Sequence, residues 1–210
     1  MAILIKATGF ILSLLSYATL EFLTEFLGAL FTAFPSQRRR ILLSNLKYAF
    51  PDRDYREIKR IARESAARMF EMGMFSLCYP FLGKEKLRRS VVYSDEAEKK
   101  IKDLRSDSKP LIVMLPHVCL FETLATSPHF RPQGGRKLGA IYRPNKNKAL
   151  DRWINSARLG VGIETFSREA GFSQTREFLK KGNWLAILFD QNAGVQGTLS
   201  MFLDRIASIT

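Results

Sequence analysis

The chain has 210 residues, with 33 Lys and Arg against 20 Asp and Glu, a formal net charge of +13. That length allows one domain with a sizeable core, and the charge favours a polyanionic partner: an anionic membrane surface, an acidic protein or nucleic acid. Only Cys78 and Cys119 are cysteines, without CxxC spacing, which excludes a disulfide framework and a cysteine-built zinc site and leaves reduced thiols facing the cytosol as the expectation.

Ile3 to Leu20 is an apolar run with one charge, Lys6, and Glu21 and Glu25 follow it. A membrane span needs roughly 20 apolar residues, so the run sits at that margin. No strongly basic leader and no small-x-small cleavage pattern precede Glu21, which argues against a cleaved signal peptide. An apolar helix packed on the body is one reading. A helix inserted in a bilayer, or lying in its surface, is the favoured one, with residues 1–34 as a membrane-anchoring helix. The triplet Arg38-Arg39-Arg40 comes next, and the positive-inside rule then places the body on the cytoplasmic side.

"RRRILLSNLKYAFPD" predicts a short amphipathic helix stopped at Pro51. Asp54 and Glu57 have capping-box spacing and open a helix expected to run to about Tyr79, with Ile58, Ile61, Ala62, Met69 and Phe70 roughly on one side. Its Met- and Phe-rich end, Met69 to Phe75, reads as core or as a soft lipid contact. Val91-Val92-Tyr93 predicts a short strand, and Ser94 to about Leu104 a helix.

From Lys109-Pro110 onward the pattern changes. Strands are expected at 111–115, 138–143, 162–166 and 184–189, with helices near 119–127, 147–159 and 172–181. Alternation of this kind predicts an α/β fold with a mostly parallel sheet covered on both faces. The expected organisation is residues 1–34 as anchor and 35–210 as one catalytic domain, helical over 35–108 and α/β over 109–210.

In such a sheet, ligands bind beyond the carboxyl ends of the strands. His117 follows the first core strand, where a histidine can serve as a general base, and Glu122 lies five residues on, in the first turns of the next helix. A carboxylate there is expected to hold the imidazole tautomer and stabilise the imidazolium. This pairing suits a hydroxyl attacking an acyl thioester. Arg143, at a strand end before a helix start, is a candidate anion contact, with Arg158 and Arg168 as additions. Asp190, at the end of the last apolar strand, is a candidate to hold a site arginine or the dyad. His129 reads as structural. No HExxH, GxxxxGK[ST] or GxGxxG occurs, so these motifs lend no support to a zinc protease or a nucleotide site.

Five pieces, in order, resemble the late acyltransferases of lipid A biosynthesis, within the HX4D/E acyltransferase superfamily: "RRRILLSNLKYAFPD", "ARMFEMGMF", "HVCLFE", "YRPNKNKALDRW" and "DQNAGVQG". The resemblance implies a glycerolipid-acyltransferase-like fold at the cytoplasmic face of the inner membrane, with no metal or other cofactor. It implies transfer of an acyl chain from acyl carrier protein to a hydroxyl of a lipid A precursor, a phosphorylated glycolipid. His117 would be the base, Glu122 its partner, and Arg143 and Arg158 phosphate contacts. Alternatives are acylation of a lysophospholipid or another glycolipid, and a remnant that binds without turnover. A nucleic-acid partner is not expected, since no basic recognition helix or basic-aromatic sheet motif is present.

Two departures stand out. Val118-Cys119-Leu120-Phe121 replaces the Gly-Asn-Trp common in that family, and Phe202-Leu203-Asp204 stands where Phe-Phe-Gly is usual. Family members continue beyond this point, so a C-terminally truncated fold is also expected.

Overall fold

The computed structural model describes residues 2–118, 120–127, 129–168, 172–191 and 194–209, the side chains of Ala2, Ala125 and Gln196 excepted. Cys119 lies outside the described residues; Cys78 is a free, buried thiol. The chain divides into two compact units: Met1–Ser13 with Ser76–Phe189, and Leu14–Phe75 with Asp190–Thr210.

The first unit is an α/β layer. Strands β1 (Leu111–Leu115), β2 (Leu138–Tyr142), β3 (Ile163–Ser167) and β4 (Trp184–Leu188) form one sheet in the order β1-β4-β2-β3. Every pairing is parallel, as crossover helices require. Alternating with these strands are α7 (Phe121–Thr126), α8 (Lys148–Gly160) and α9 (Ser173–Lys180). Leu115, Leu138, Ile163, Trp184 and Ala186 make the core; fully burying a side chain such as Leu138 contributes roughly 1.5–3 kcal/mol. Buried Asn183 sets β4 in register: its Oδ1 accepts the Lys137 N–H at 2.8 Å and its Nδ2 donates to the Phe178 carbonyl at 2.9 Å.

The strand boundaries expected from sequence hold to within a residue or so. Coverage of the sheet does not hold throughout. β1 is an edge strand; Val113 and Leu115 face the core while Ile112 and Met114 stand exposed. The expected strand at 91–93 is absent: those residues are irregular, and Val92 is 93% exposed, with no apolar face to pack on. The short charged helix α5 (Lys84–Arg89) precedes them and α6 (Asp95–Ser106) follows.

The N-terminal apolar run forms two helices rather than one. Helix α1 spans Ala2–Leu14 and α2 spans Tyr17–Ala33. Ser16 divides them as an N-cap, its hydroxyl accepting the Thr19 N–H at 3.2 Å. At about 1.5 Å per residue, a 13-residue helix reaches only about 20 Å, short of the ~30 Å hydrocarbon core. Helix α2 carries Glu21 and Glu25. No helix among the described residues is long and apolar enough to cross a membrane, so a spanning form of the expected anchor has no support here.

In the first unit, α1 packs backbone to backbone. A Cβ on Gly9 would fall 2.3 Å from the Leu77 carbonyl oxygen. Beside it, Phe10 meets Phe81 edge-on at 5.9 Å, and Phe81 stacks on Trp153 of α8 at 5.6 Å. The opposite side of α1 leaves Ile3, Leu4 and Ile11 exposed.

The second unit gathers α2, α3 (Gln37–Ala49), α4 (Tyr55–Cys78) through Phe75, and a hairpin of β5 (Thr198–Phe202) and β6 (Arg205–Ile209). Helix α3 is the one expected before Pro51. Helix α4 opens as expected, with the Asp54 carboxylate accepting the Glu57 N–H at 2.8 Å. Gly28 of α2 lies against the Ala67 backbone, and Phe31 meets Phe70 edge-on at 6.3 Å. Arg205 ties the hairpin to α3, its Nε donating to the Tyr48 carbonyl at 2.8 Å. The hairpin turns through Leu203 and Asp204, both left-handed (φ 51° and 56°), the geometry of a type I′ turn.

Candidate active site

The site grows from the first crossover of the parallel sheet. β1 ends at Leu115, Pro116 ends the ladder, and His117 follows, half-buried. The chain re-enters helix at Phe121, whose ring meets the His117 imidazole edge-on at 5.0 Å. Phe121 thus supplies an aromatic wall against which the histidine rests.

Glu122, second residue of α7, is 6% exposed. A buried carboxylate is costly unless charge and hydrogen bonds compensate it, and here both oxygens are met. Arg158, on α8, donates from Nη2 to Oε1 at 2.5 Å. Ser76, in the last turn of α4, donates from Oγ to Oε2 at 2.6 Å. Tyr79, fully buried in the 3-10 turn Tyr79–Phe81, belongs to the same cluster. Burial pushes its phenol up, the Glu122 charge acts in the same direction, and Arg158 opposes both.

The expected residues therefore fall into groups. Glu122 and Arg158 are joined directly. His117 is joined to the same segment through Phe121. Arg143, one residue past β2, is exposed. Because β1, β4 and β2 are parallel neighbours, the segments that carry His117 and Arg143 leave the sheet at the same end. Arg168, just past β3, is also exposed. Asp190 follows β4 by two residues, is half-buried and belongs to the second unit.

At the start of α8, Asn147 is the cap, its Oδ1 accepting the Ala149 and Leu150 N–H groups at 3.0 and 3.2 Å. The Asp151 carboxylate takes the Asn145 N–H at 2.7 Å. The Asn147 side chain thus already uses two of the helix-start amides that a bound anion would otherwise meet. His129 meets Tyr93 edge-on at 6.1 Å. It lines a separate cleft of about 580 Å³ with Lys99, Lys102 and Arg105, which none of Ser76, Glu122 or Arg158 borders.

Ser76 and Tyr79 were not legible as site residues. Ser76 lies 46 positions from Glu122, inside a stretch of Met and Phe that reads as apolar surface. Its one signal is a hydroxyl in an otherwise apolar helix end.

A family model described as bacterial lipid A biosynthesis acyltransferase matches residues 1–210. The chain belongs to that family. It is 25% identical over 173 residues to the "Lipid A biosynthesis myristoyltransferase" of Escherichia coli (strain K12), covering 82% of this chain and 51% of that protein. The "Lipid A biosynthesis acyltransferase 2" of Shigella flexneri is 25% identical over 171 residues, covering 81% of this chain and 52% of that protein. The chain spans about half the length of the curated relatives it matches. Within this lipid A acyltransferase family member, the cluster at Glu122 is built entirely from the first unit.

Proposed function

We propose that the chain carries the acyl-transfer centre of a lipid A acyltransferase. In this reading it moves a fatty acyl group from acyl carrier protein to a hydroxyl of a phosphorylated lipid A precursor. The observation that carries the reading is the buried, doubly hydrogen-bonded Glu122 beside the strand-end His117, in a chain of this family.

His117 takes the acceptor hydroxyl proton as that oxygen attacks the thioester carbonyl. The new C–O bond forms and the carbonyl electron pair moves onto oxygen. On collapse the C–S bond breaks, and the imidazolium returns its proton to the leaving thiolate. Glu122 orients the ring and offsets the imidazolium charge. A carboxylate has about four lone-pair directions. Ser76 and Arg158 use two, which leaves capacity for an imidazole N–H.

Arg158 is engaged by Glu122, so phosphate recognition falls to exposed Arg143. The charge of +13 suits both an acidic carrier protein and an anionic membrane. The chain works at the cytoplasmic face of the inner membrane, lying on it through the apolar side of α1. Acyl transfer from labelled acyl carrier protein to a tetra-acylated precursor tests the reading. His117→Ala abolishes turnover, and a mutant with the wild-type rate overturns the assignment.

A further inference from the structure

We infer that Ser76 is a positioning residue of the transfer reaction, fixing the plane of the Glu122 carboxylate from the last turn of α4. The inference rests on the proposed role of His117 and Glu122.

The geometry is specific. Glu122 is buried, and its two oxygens are held from two different elements: Oε1 by Arg158 of α8 and Oε2 by Ser76 of α4. A guanidinium on one oxygen alone leaves the carboxylate free to turn about its last side-chain torsion, which is broad and roughly two-fold. A hydroxyl at 2.6 Å on the other oxygen selects one orientation. O–H to carboxylate bonds of this length are the strong, charge-assisted kind. The group so fixed points its remaining lone pairs along set directions, and hydrogen bonding to an imidazole depends on direction.

Ser76 is anchored well for this task. The helix end that carries it is packed against α1, where Gly9 approaches the Leu77 carbonyl. The following residues include Cys78 and Tyr79, both buried. The groups around Glu122 are thus Ser76 from α4, Tyr79 from the 3-10 turn, Arg158 from α8 and, on its own segment, His117 against Phe121. Among these Ser76 is an uncharged donor hydrogen-bonded to the carboxylate. It touches neither donor nor acceptor in this reading, so its loss acts on the chemical step.

The test uses the full chain, labelled acyl carrier protein and the tetra-acylated precursor. Ser76→Ala is expected to lower kcat on the order of 10-fold to 100-fold, the scale of a misplaced catalytic group, with KM within about two-fold. Ser76→Thr, which keeps the hydroxyl, is expected to restore most of the rate. Should Ser76→Ala fail to fold by thermal melt, Ser76→Cys serves in its place, since S–H is only a weak donor. A wild-type kcat in Ser76→Ala, a loss confined to KM, or a loss that Ser76→Thr does not repair overturns the inference. Parallel His117→Ala and Glu122→Gln assays separate the two claims. Wild-type rates there overturn the underlying reading, whereas inactive His117 and Glu122 variants beside a fully active Ser76→Ala overturn the role of Ser76 alone.

Discussion

Glu122 and Arg158, 36 positions apart, form a buried ion pair, with side chains 7% and 20% exposed. It joins the helix after β1 to the helix after β2. Breaking one side of a buried pair typically costs about 3–5 kcal/mol, because a charge is stranded. Arg158 keeps some exposure, so Arg158→Met is expected to destabilise the chain by about 3 kcal/mol in urea unfolding. Arg158→Met combined with Glu122→Gln should recover much of that loss. A single-variant loss below about 1 kcal/mol would contradict the pair's structural weight.

Helix α1 docks through Gly9. Its Cβ position lies 2.3 Å from the Leu77 carbonyl oxygen and 2.9 Å from the Phe81 ring. Gly9→Val forces the helices apart and is expected to cost about 1–3 kcal/mol, read as a lower Tm. An unchanged Tm would mean that α1 does not pack there in solution.

The exposed side of α1 makes a second prediction. Ile3 and Ile11 are 84% and 58% exposed and lie on one side of the helix at about 3.6 residues per turn. Burying each in the acyl boundary of a membrane contributes roughly 1.5–3 kcal/mol. Ile3→Asp with Ile11→Asp should weaken co-sedimentation with phosphatidylglycerol-containing vesicles by at least about ten-fold. Equal binding by the double variant would remove α1 from the membrane contact.

The hairpin turn carries local strain. Leu203 sits at φ 51°, where a Cβ is disfavoured by roughly 1–2 kcal/mol. Asn and Gly suit that position of a type I′ turn. Leu203→Gly is expected to raise stability by about 0.5–1 kcal/mol, seen as slower amide exchange in β5 and β6. Faster exchange would show that the leucine side chain contributes more than its backbone costs.

Local signals and distant pairings differ in how far the sequence reveals them. The strands "LIVML" and "WLAIL" are short apolar runs with polar flanks, and they form where composition places them. Asn147 marks the start of α8 because its side chain can cap it. Val91 to Tyr93 has strand-like residues but no neighbouring strand to pair with, and it stays irregular. Helix α5 escapes notice because "KEKLRR" offers one apolar residue, Leu87, and no period. The N-terminal run looks continuous in hydropathy, yet one serine hydroxyl turned onto a backbone amide divides it. At the candidate site, His117 and Glu122 were visible through their place after a core strand. The partners of Glu122 were not, since nothing local links position 76 or 158 to 122.

Acyl transfer by this chain is proposed to depend on His117 and Glu122. The most direct measurement is transfer from labelled acyl carrier protein to a tetra-acylated lipid A precursor, by membranes holding the full chain, His117→Ala or Glu122→Gln. Turnover by the wild type is expected, with a loss of about 10²–10⁴-fold in His117→Ala and a strong loss in Glu122→Gln. Wild-type rates in both variants, or no transfer by the wild-type chain, would contradict the proposal.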